Sequence, residues 1–475
     1  MSHAAAAPPA DRLTRLALSC AEFAQRWFPD AWVFAVLGLV LVAVAALLAG
    51  ASPQATAQGF GKGFWSLVPF TMQMAFVVIA GFVVATAPPV ARVIERIAGW
   101  PRSGRGAVVF VALASMLTSL LSWGFSLVFA GLLVRALGRR RELDMDYRAA
   151  GAAAYLGLGA VWAMGLSSSA AQLQANPASM PPGLLEITGV LPFTQTIFLW
   201  QSLLLTAALI TVSALVAWHT APRGAQAVRA ADCIGDIDLP AASVPRPTRP
   251  GEWLEYSPLL TIAVSLLALG WLVTEFAAKP WTSAIADLNT YNLLGLSLGL
   301  LLHWRPRSFL DAVTRAVPGT AGVLLQFPLY GGIAMILTQV AGSDGATLSH
   351  RLSQLFVQVA SQESFALVMG VYSAVLGFFV PSGGGKWIIE APYVMQAANE
   401  LRVHLGWAVQ VYNAAEALPN LVNPFWMLPL LGVIGLKARD IVGFTFIQLL
   451  VHIPLVLGLL WLLGLTLEYR PPVLP

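Results

Sequence analysis

Long apolar runs recur along this chain, at about 31–50, 67–87, 106–134, 149–170, 196–219, 257–277, 283–304, 318–341, 363–399, 408–436 and 441–465. A helix of about 20 apolar residues crosses a bilayer. It also satisfies its own backbone hydrogen bonds, which lipid-exposed irregular chain does not. The pattern therefore calls for an all-α polytopic membrane protein. Composition agrees, since 57% of the 475 residues are hydrophobic and 11% are charged, against about one quarter charged in a soluble domain. A soluble enzyme, a disordered chain and a nucleic-acid binder are excluded. The net charge of +4 signals no nucleic-acid groove, because the Arg residues sit in short clusters between apolar runs. Cys20 and Cys233 are too few for a disulfide scaffold and form no metal-binding spacing. Both are expected to face the cytosol, Cys20 within an amphipathic N-terminal segment, 1–30, and Cys233 in the most polar loop.

Basic charge is distributed unevenly between the loops. Arg12, Arg15 and Arg26, the clusters at 92–105, 135–148, 223–249 and 305–315, and Lys437 with Arg439 together hold 21 of the 27 basic residues. The remaining loops carry only Lys62, Lys279, Arg351, Arg402 and the terminal Arg470. By the positive-inside rule the first set is cytoplasmic. That places the N-terminus in the cytoplasm and the C-terminus in the periplasm of a bacterial cytoplasmic membrane.

Two runs then have both ends on the same side. The run 106–134 lies between Arg-rich loops, and its middle reads Ser122-Trp123-Gly124-Phe125-Ser126. The run 363–399 lies between basic-poor loops and breaks at Pro381-Ser382-Gly383-Gly384-Gly385, a strong helix breaker. Both are expected to be re-entrant hairpins, entering from opposite faces. With the flanking spans they form two series of the same elements in opposite orientation, over 31–219 and 283–465. The segment 220–282 is a cytoplasmic linker plus one connecting span, and 466–475 is a tail. Val68 to Gln73 and Val323 to Pro328 open equivalent spans and are weakly similar. Inverted repeats of this kind mark secondary transporters.

Chemistry is expected where the helices break. The glycines after Ser382 permit close approach of backbone to a ligand. The half-helix from Lys386 onward points its positive N-terminal end at the same spot, which favours a carboxylate. Such breaks also serve as helix packing points, and two at matching places favour binding. Span 149–170 ends at Ser167, Ser168 and Ser169, which are either site residues or simply the outer end of the helix. Span 408–436 contains Glu416, Pro419, Asn420, Asn423 and Pro424. Its prolines remove backbone donors and should unwind it, freeing carbonyls beside Asn420 and Asn423 for a cation or substrate. Charge well inside the runs is confined to Lys386, Glu390 and Glu416, and charge at that depth is a functional signal. Lys386 and Glu390 either neutralise each other at i,i+4 spacing, or Lys386 attracts the substrate. Glu416, with no obvious partner, either carries a coupling proton or bonds to Asn413 or the broken backbone. Trp123 and Trp387 sit at the tips. Trp65, Trp200, Trp253 and Trp281 fall at span ends, as interface anchors do. His219, His303 and His452 have no metal spacing, and no nucleotide motif occurs, so ATP does not drive this protein.

The segment Val380-Pro381-Ser382-Gly383-Gly384-Gly385-Lys386-Trp387, with Glu416, Asn420 and Asn423-Pro424-Phe425-Trp426, resembles the bacterial short-chain fatty acid transporter family. Gly63-Phe64-Trp65, Met72-Gln73-Met74 and Trp123-Gly124-Phe125 add to the likeness, which runs from about Arg26 to Leu465 and is interrupted at 220–256. The resemblance implies import of short-chain carboxylates such as acetoacetate and butyrate. It also implies membership of the ion transporter superfamily, with inverted repeats, two opposed hairpins, usually a homodimer, and elevator-type movement. The family more often has Gln or His at the position of Lys386, and Gln at those of Glu390 and Asn423.

The expectation is therefore a secondary transporter for short-chain monocarboxylates, coupled to H⁺ or Na⁺ and needing no other cofactor or metal. Its carboxylate would lie between Ser122–Ser126 and Pro381–Lys386, with its tail against Trp123, Phe125 or Trp387. One alternative is a cation/proton antiporter of the same superfamily, with Glu416 and the broken spans as its site. A distant one is an intramembrane lipid-modifying enzyme, for which only Asp144 and Asp146 come near a carboxylate pair. Helix capping and charge balance explain those two better.

Overall fold

A computed structural model describes residues 26, 31–235, 247–380, 382–423 and 426–474. The expected amphipathic segment, apart from Arg26, lies outside the described residues, as do Cys20, Pro381, Pro424 and part of the linker. Among the described residues the regular structure is helical, with two isolated bridges and no strand. Among the described residues, seven helices or runs of consecutive helices are long and apolar enough to cross a membrane.

The first series begins with α1 (Ala31–Leu48), α2 (Pro53–Ser66), α3 (Val68–Ala85) and the amphipathic α4 (Pro88–Ala98). It continues with α5 (Gly104–Leu121), α6 (Trp123–Gly138), α7 (Tyr147–Leu156), α8 (Ser169–Ala175), α9 (Pro182–Thr188) and α10 (Trp200–Thr220). The connecting span is α11 (Leu259–Ala278), followed by α12 (Trp281–Ala286) and α13 (Leu288–His303). The second series begins with α13 and runs through α14 (Pro306–Ala316), α15 (Ala321–Gln339), the amphipathic α16 (Leu348–Val359), α17 (Phe365–Phe379), α18 (Gly383–Glu400), α19 (Leu405–Asn420), α20 (Leu428–Ile434) and α21 (Ala438–Gly464).

The same order of elements thus occurs twice: a kinked pair, an amphipathic helix, a helix–break–helix unit, a broken span and a long span. The packing repeats as well. Helix α5 packs on α7 and α10, as α17 packs on α19 and α21. Helix α4 lies on α6, and α16 lies on α18.

Each helix–break–helix unit turns at a serine. Ser122 is extended, with φ −156° and ψ 119°, and its Oγ accepts from Phe125 N at 3.4 Å. Ser382 is extended, with φ −149° and ψ 99°, and its Oγ accepts from Gly385 N at 3.2 Å. Each serine therefore N-caps the helix that follows it; Ser122 also ends α5, whereas Val380 ends α17. In the first broken span, α7 passes into a π turn (Gly157–Val161) and a 3₁₀ turn (Trp162–Met164) before α8. A third serine, Ser168, caps α8.

Arg351 and Lys62 are expected in loops, but Arg351 lies within α16 and Lys62 within α2. Ser52 N-caps that helix and Pro53 occupies its first turn, a favourable start. Gly63 of α2 and Gly331 of α15 meet backbone to backbone, where a side chain on either would collide. The helix was hidden because its apolar face is short and rich in glycine.

Leu260, Leu266, Leu267, Leu269 and Val273 of α11 are exposed, as suits a lipid-facing span. Trp65, Trp200, Trp253 and Trp281 are also exposed and stand at or next to helix ends. Asp144 pairs with Arg229, while Asp146 caps α7 and pairs with Arg148 at 2.8 Å. Both aspartates thus have the structural roles expected of them.

Candidate functional site

The breaks converge on a buried cavity of about 30 Å³, room for one or two waters. Its floor is the tip of α18, at Ser382, Gly383 and Gly384. Trp123 from the start of α6, with Trp162 and Ser169 from the first broken span, faces them. Asn420 and Trp426 come from the second broken span. Met74, Leu158, Val323 and Phe327 supply apolar wall.

The polar atoms in this cavity are under-used. Trp123 Nε1, Trp162 Nε1 and Asn420 Oδ1 are buried and have no hydrogen-bond partner among the described residues. A buried donor without a partner is costly, so this cavity is poised to accept an acceptor-rich ligand. The first N–H groups of a helix lack intrahelical partners, and those of α18 begin at Gly383. The backbone there is closely covered. A Cβ on Gly384 would stand 3.1 Å from Ser169 Cβ and 3.2 Å from Phe327 Cζ.

Other expected residues surround the cavity without lining it. Ser122 caps α6, and Ser167 Oγ accepts from Trp123 N at 3.0 Å, fixing that tip. Ser168 donates to Asn413 Oδ1 at 3.2 Å. Ser126 donates to Ser115 O at 2.7 Å, and Gly124 packs against α3. Gly385 lies under the Tyr330 ring. Asn423 follows the end of α19. Phe125 stacks on Phe129 at 5.1 Å, and Trp387 is fully buried against Tyr412 at 4.6 Å. Neither ring lines the cavity, whose apolar wall is Met74, Leu158, Val323 and Phe327. The carbonyl of Asn420 is already engaged, accepting from Tyr155 OH at 2.9 Å.

Behind the cavity floor lies a buried charge cluster. Lys386 Nζ is 2.5 Å from Glu416 Oε2 and 3.5 Å from Glu390 Oε1, and all three side chains are buried. The ammonium also donates to Ser373 O at 2.6 Å and Ser373 Oγ at 2.9 Å. It stands 4.8 Å from the centre of the Tyr412 ring, and Tyr412 OH donates to Gly383 O at 2.5 Å. Glu416 therefore does have a partner, but one distant in sequence. Asn413 is engaged elsewhere, donating to Gln410 Oε1 at 2.8 Å.

Sequence reasoning missed Trp162, Leu158, Phe327 and Ser373. Trp162 and Leu158 lie where α7 loosens into π and 3₁₀ turns, and only the glycines around them hint at that. Met74 and Trp426 belong to segments already noted as family-like, without a role.

The fold is that of membrane transporters. It is similar to the YdaH transporter of Alcanivorax borkumensis, with a TM-score of 0.59 and 16% identity, covering 92% of this chain and 98% of that one. It is also similar to MtrF of Neisseria gonorrhoeae, described as illuminating a class of antimetabolite efflux pumps, with a TM-score of 0.57 and 14% identity over 96% and 100% of the chains. The chain belongs to the short chain fatty acid transporter family, whose model matches residues 12–463. Two relatives are named for the same transport, one from Escherichia coli (strain K12), 32% identical over 95% of this chain and 99% of its own. The other, from Haemophilus influenzae (strain ATCC 51907 / DSM 11121 / KW20 / Rd), is 30% identical over 95% and 100%. The family is one of transporters, not of enzymes.

Proposed function

We propose that this protein is a cation-coupled importer of short-chain monocarboxylates, with the carboxylate bound between the tips at Trp123 and at Ser382–Gly384. The observation that carries this reading is the pair of unpartnered indole donors, Trp123 Nε1 and Trp162 Nε1, at the N-terminal end of α18. Together they can hold the two oxygens of a carboxylate, while Leu158, Val323 and Phe327 accept a short alkyl tail. The narrow cavity admits a substrate only after the surrounding elements move. That suits an elevator-type cycle, in which the two helix–break–helix units act as opposed re-entrant hairpins of inverted repeats.

The setting follows from the charge map: a bacterial cytoplasmic membrane with the N-terminus inside and the C-terminus outside. A homodimer is the assembly that the superfamily resemblance implies. An anion entering against a negative-inside potential costs about 2.3 kcal/mol per 100 mV, and one accompanying H⁺ or Na⁺ cancels that.

The buried Lys386, Glu390 and Glu416 cluster favours a second reading, a cation/proton antiporter with no organic substrate. Reconstitution into liposomes separates the two. Accumulation of labelled butyrate or acetoacetate under an inward cation gradient supports import. Cation exchange with no carboxylate movement supports the antiporter.

A further inference from the structure

We infer that import is driven by protons rather than sodium, and that the proton rides on Glu390 within the Lys386–Glu390–Glu416 cluster. The inference rests on the carboxylate reading above and deepens it.

Charge comes first. One ammonium and two carboxylates are buried together, so the cluster carries one excess negative charge when both acids are ionised. A buried charge without compensation is strongly unfavourable. A second cation must join the cluster, and a proton on one carboxylate is the smallest change that balances it.

The ammonium's geometry identifies which one. A lysine has three N–H donors. Ser373 O and Ser373 Oγ take two of them, at 2.6 and 2.9 Å, and Glu416 Oε2, at 2.5 Å, is the nearer carboxylate of the ion pair. Glu390 Oε1, at 3.5 Å, is the more weakly paired of the two carboxylates. The other groups facing the two acids are Tyr372 and Ser373 from α17, Tyr393 beside Glu390 on α18, Tyr412 from α19 and Tyr330 from α15. Tyr372 and Tyr393 hydroxyls pair with each other at 2.7 Å. Lys386 is the only cation facing either acid among the described residues.

Position supplies the coupling. Lys386 lies in the first turn of α18, whose tip forms the cavity floor, and Glu416 lies one turn before Asn420, which lines the cavity. An ionised Glu390 leaves the excess negative charge directly behind the site for an anion. Protonation removes it. Proton and carboxylate therefore raise each other's affinity, reciprocally. A proton taken from outside onto a Glu390 carboxylate oxygen leaves to the cytosol after the anion does.

The test uses the full-length protein in liposomes, with labelled butyrate and Glu390→Gln, a near-isosteric and permanently neutral replacement. Wild type should accumulate butyrate under an inward proton gradient, with no response to sodium. E390Q should lose that accumulation but keep butyrate counterflow, which should no longer vary with pH. Glu416→Gln should behave alike, because Glu390 then ionises as the sole partner of Lys386. In detergent, wild type should take up protons from weakly buffered solution when butyrate is added, and E390Q should not. Proton-driven accumulation that survives in E390Q overturns the inference, as does accumulation driven by a sodium gradient at fixed pH. Wild type that shows neither accumulation nor counterflow of any short-chain carboxylate overturns the substrate reading, and the coupling with it.

Discussion

Lys386 Nζ and Glu416 Oε2 meet at 2.5 Å, tying the first turn of α18 to the last turns of α19. The two stand 30 positions apart in the sequence. The contact fixes the cavity floor at Gly383 and Gly384 relative to Asn420.

Removing the ammonium strands two buried carboxylates. Lys386→Met should therefore lower stability by about 3–5 kcal/mol, the cost of breaking a buried pair. The double change Lys386→Met with Glu416→Gln should recover much of that loss. Thermal melting of the detergent-purified proteins checks both. Equal melting of wild type and the single variant would show that the pair contributes no net stability.

The cavity floor has no room for a side chain. Gly384→Val would press on Ser169 and Phe327. It should abolish butyrate uptake while leaving expression and membrane insertion near normal. Uptake at the wild-type rate would remove the α18 tip from the binding site.

Each indole donor should be worth a hydrogen bond to a charged group, about 1.5–3 kcal/mol. Trp162→Phe keeps an aromatic ring but loses the indole N–H, so the KM for butyrate should rise about tenfold or more. Trp123→Phe should act in the same direction. An unchanged KM in both would place the carboxylate elsewhere.

Cys233 lies in the linker between the two series, half-buried, and burial pushes its thiol up to about 11, despite the nearby Arg148. The thiolate is the reactive form, and the raised pKa means that it appears only at high pH. In a Cys20→Ser background, maleimide labelling should be slow at neutral pH and rise steeply toward pH 10 and above. It should occur only from the cytoplasmic side. Labelling by an impermeant reagent from outside would reverse the orientation.

The chain's helical membrane architecture was legible because lipid leaves few options for backbone, so long apolar runs mark helices. Breaks at Ser122 and Ser382 were legible from small polar residues inside apolar runs. Helix α2 was not, since Gly59 and Gly63 pack tightly through backbone rather than through bulky apolar side chains. Within the site, the family-like motifs pointed to Ser382, Gly383, Gly384, Trp123 and Asn420. Ser373 and Trp162 were invisible. Ser373 is one ordinary residue of an apolar helix, and Trp162 acts only because α7 unwinds beside it. The partner of Glu416 was missed because i,i+4 spacing draws attention to Glu390, while the shorter contact crosses between helices.

The most direct test of the account is a structure determined with butyrate bound. The carboxylate should appear between Trp123 Nε1, Trp162 Nε1 and the backbone at Gly383–Gly384, with the tail toward Leu158 and Phe327. Butyrate ordered at any other place, with this cavity still closed around Trp162, would contradict it.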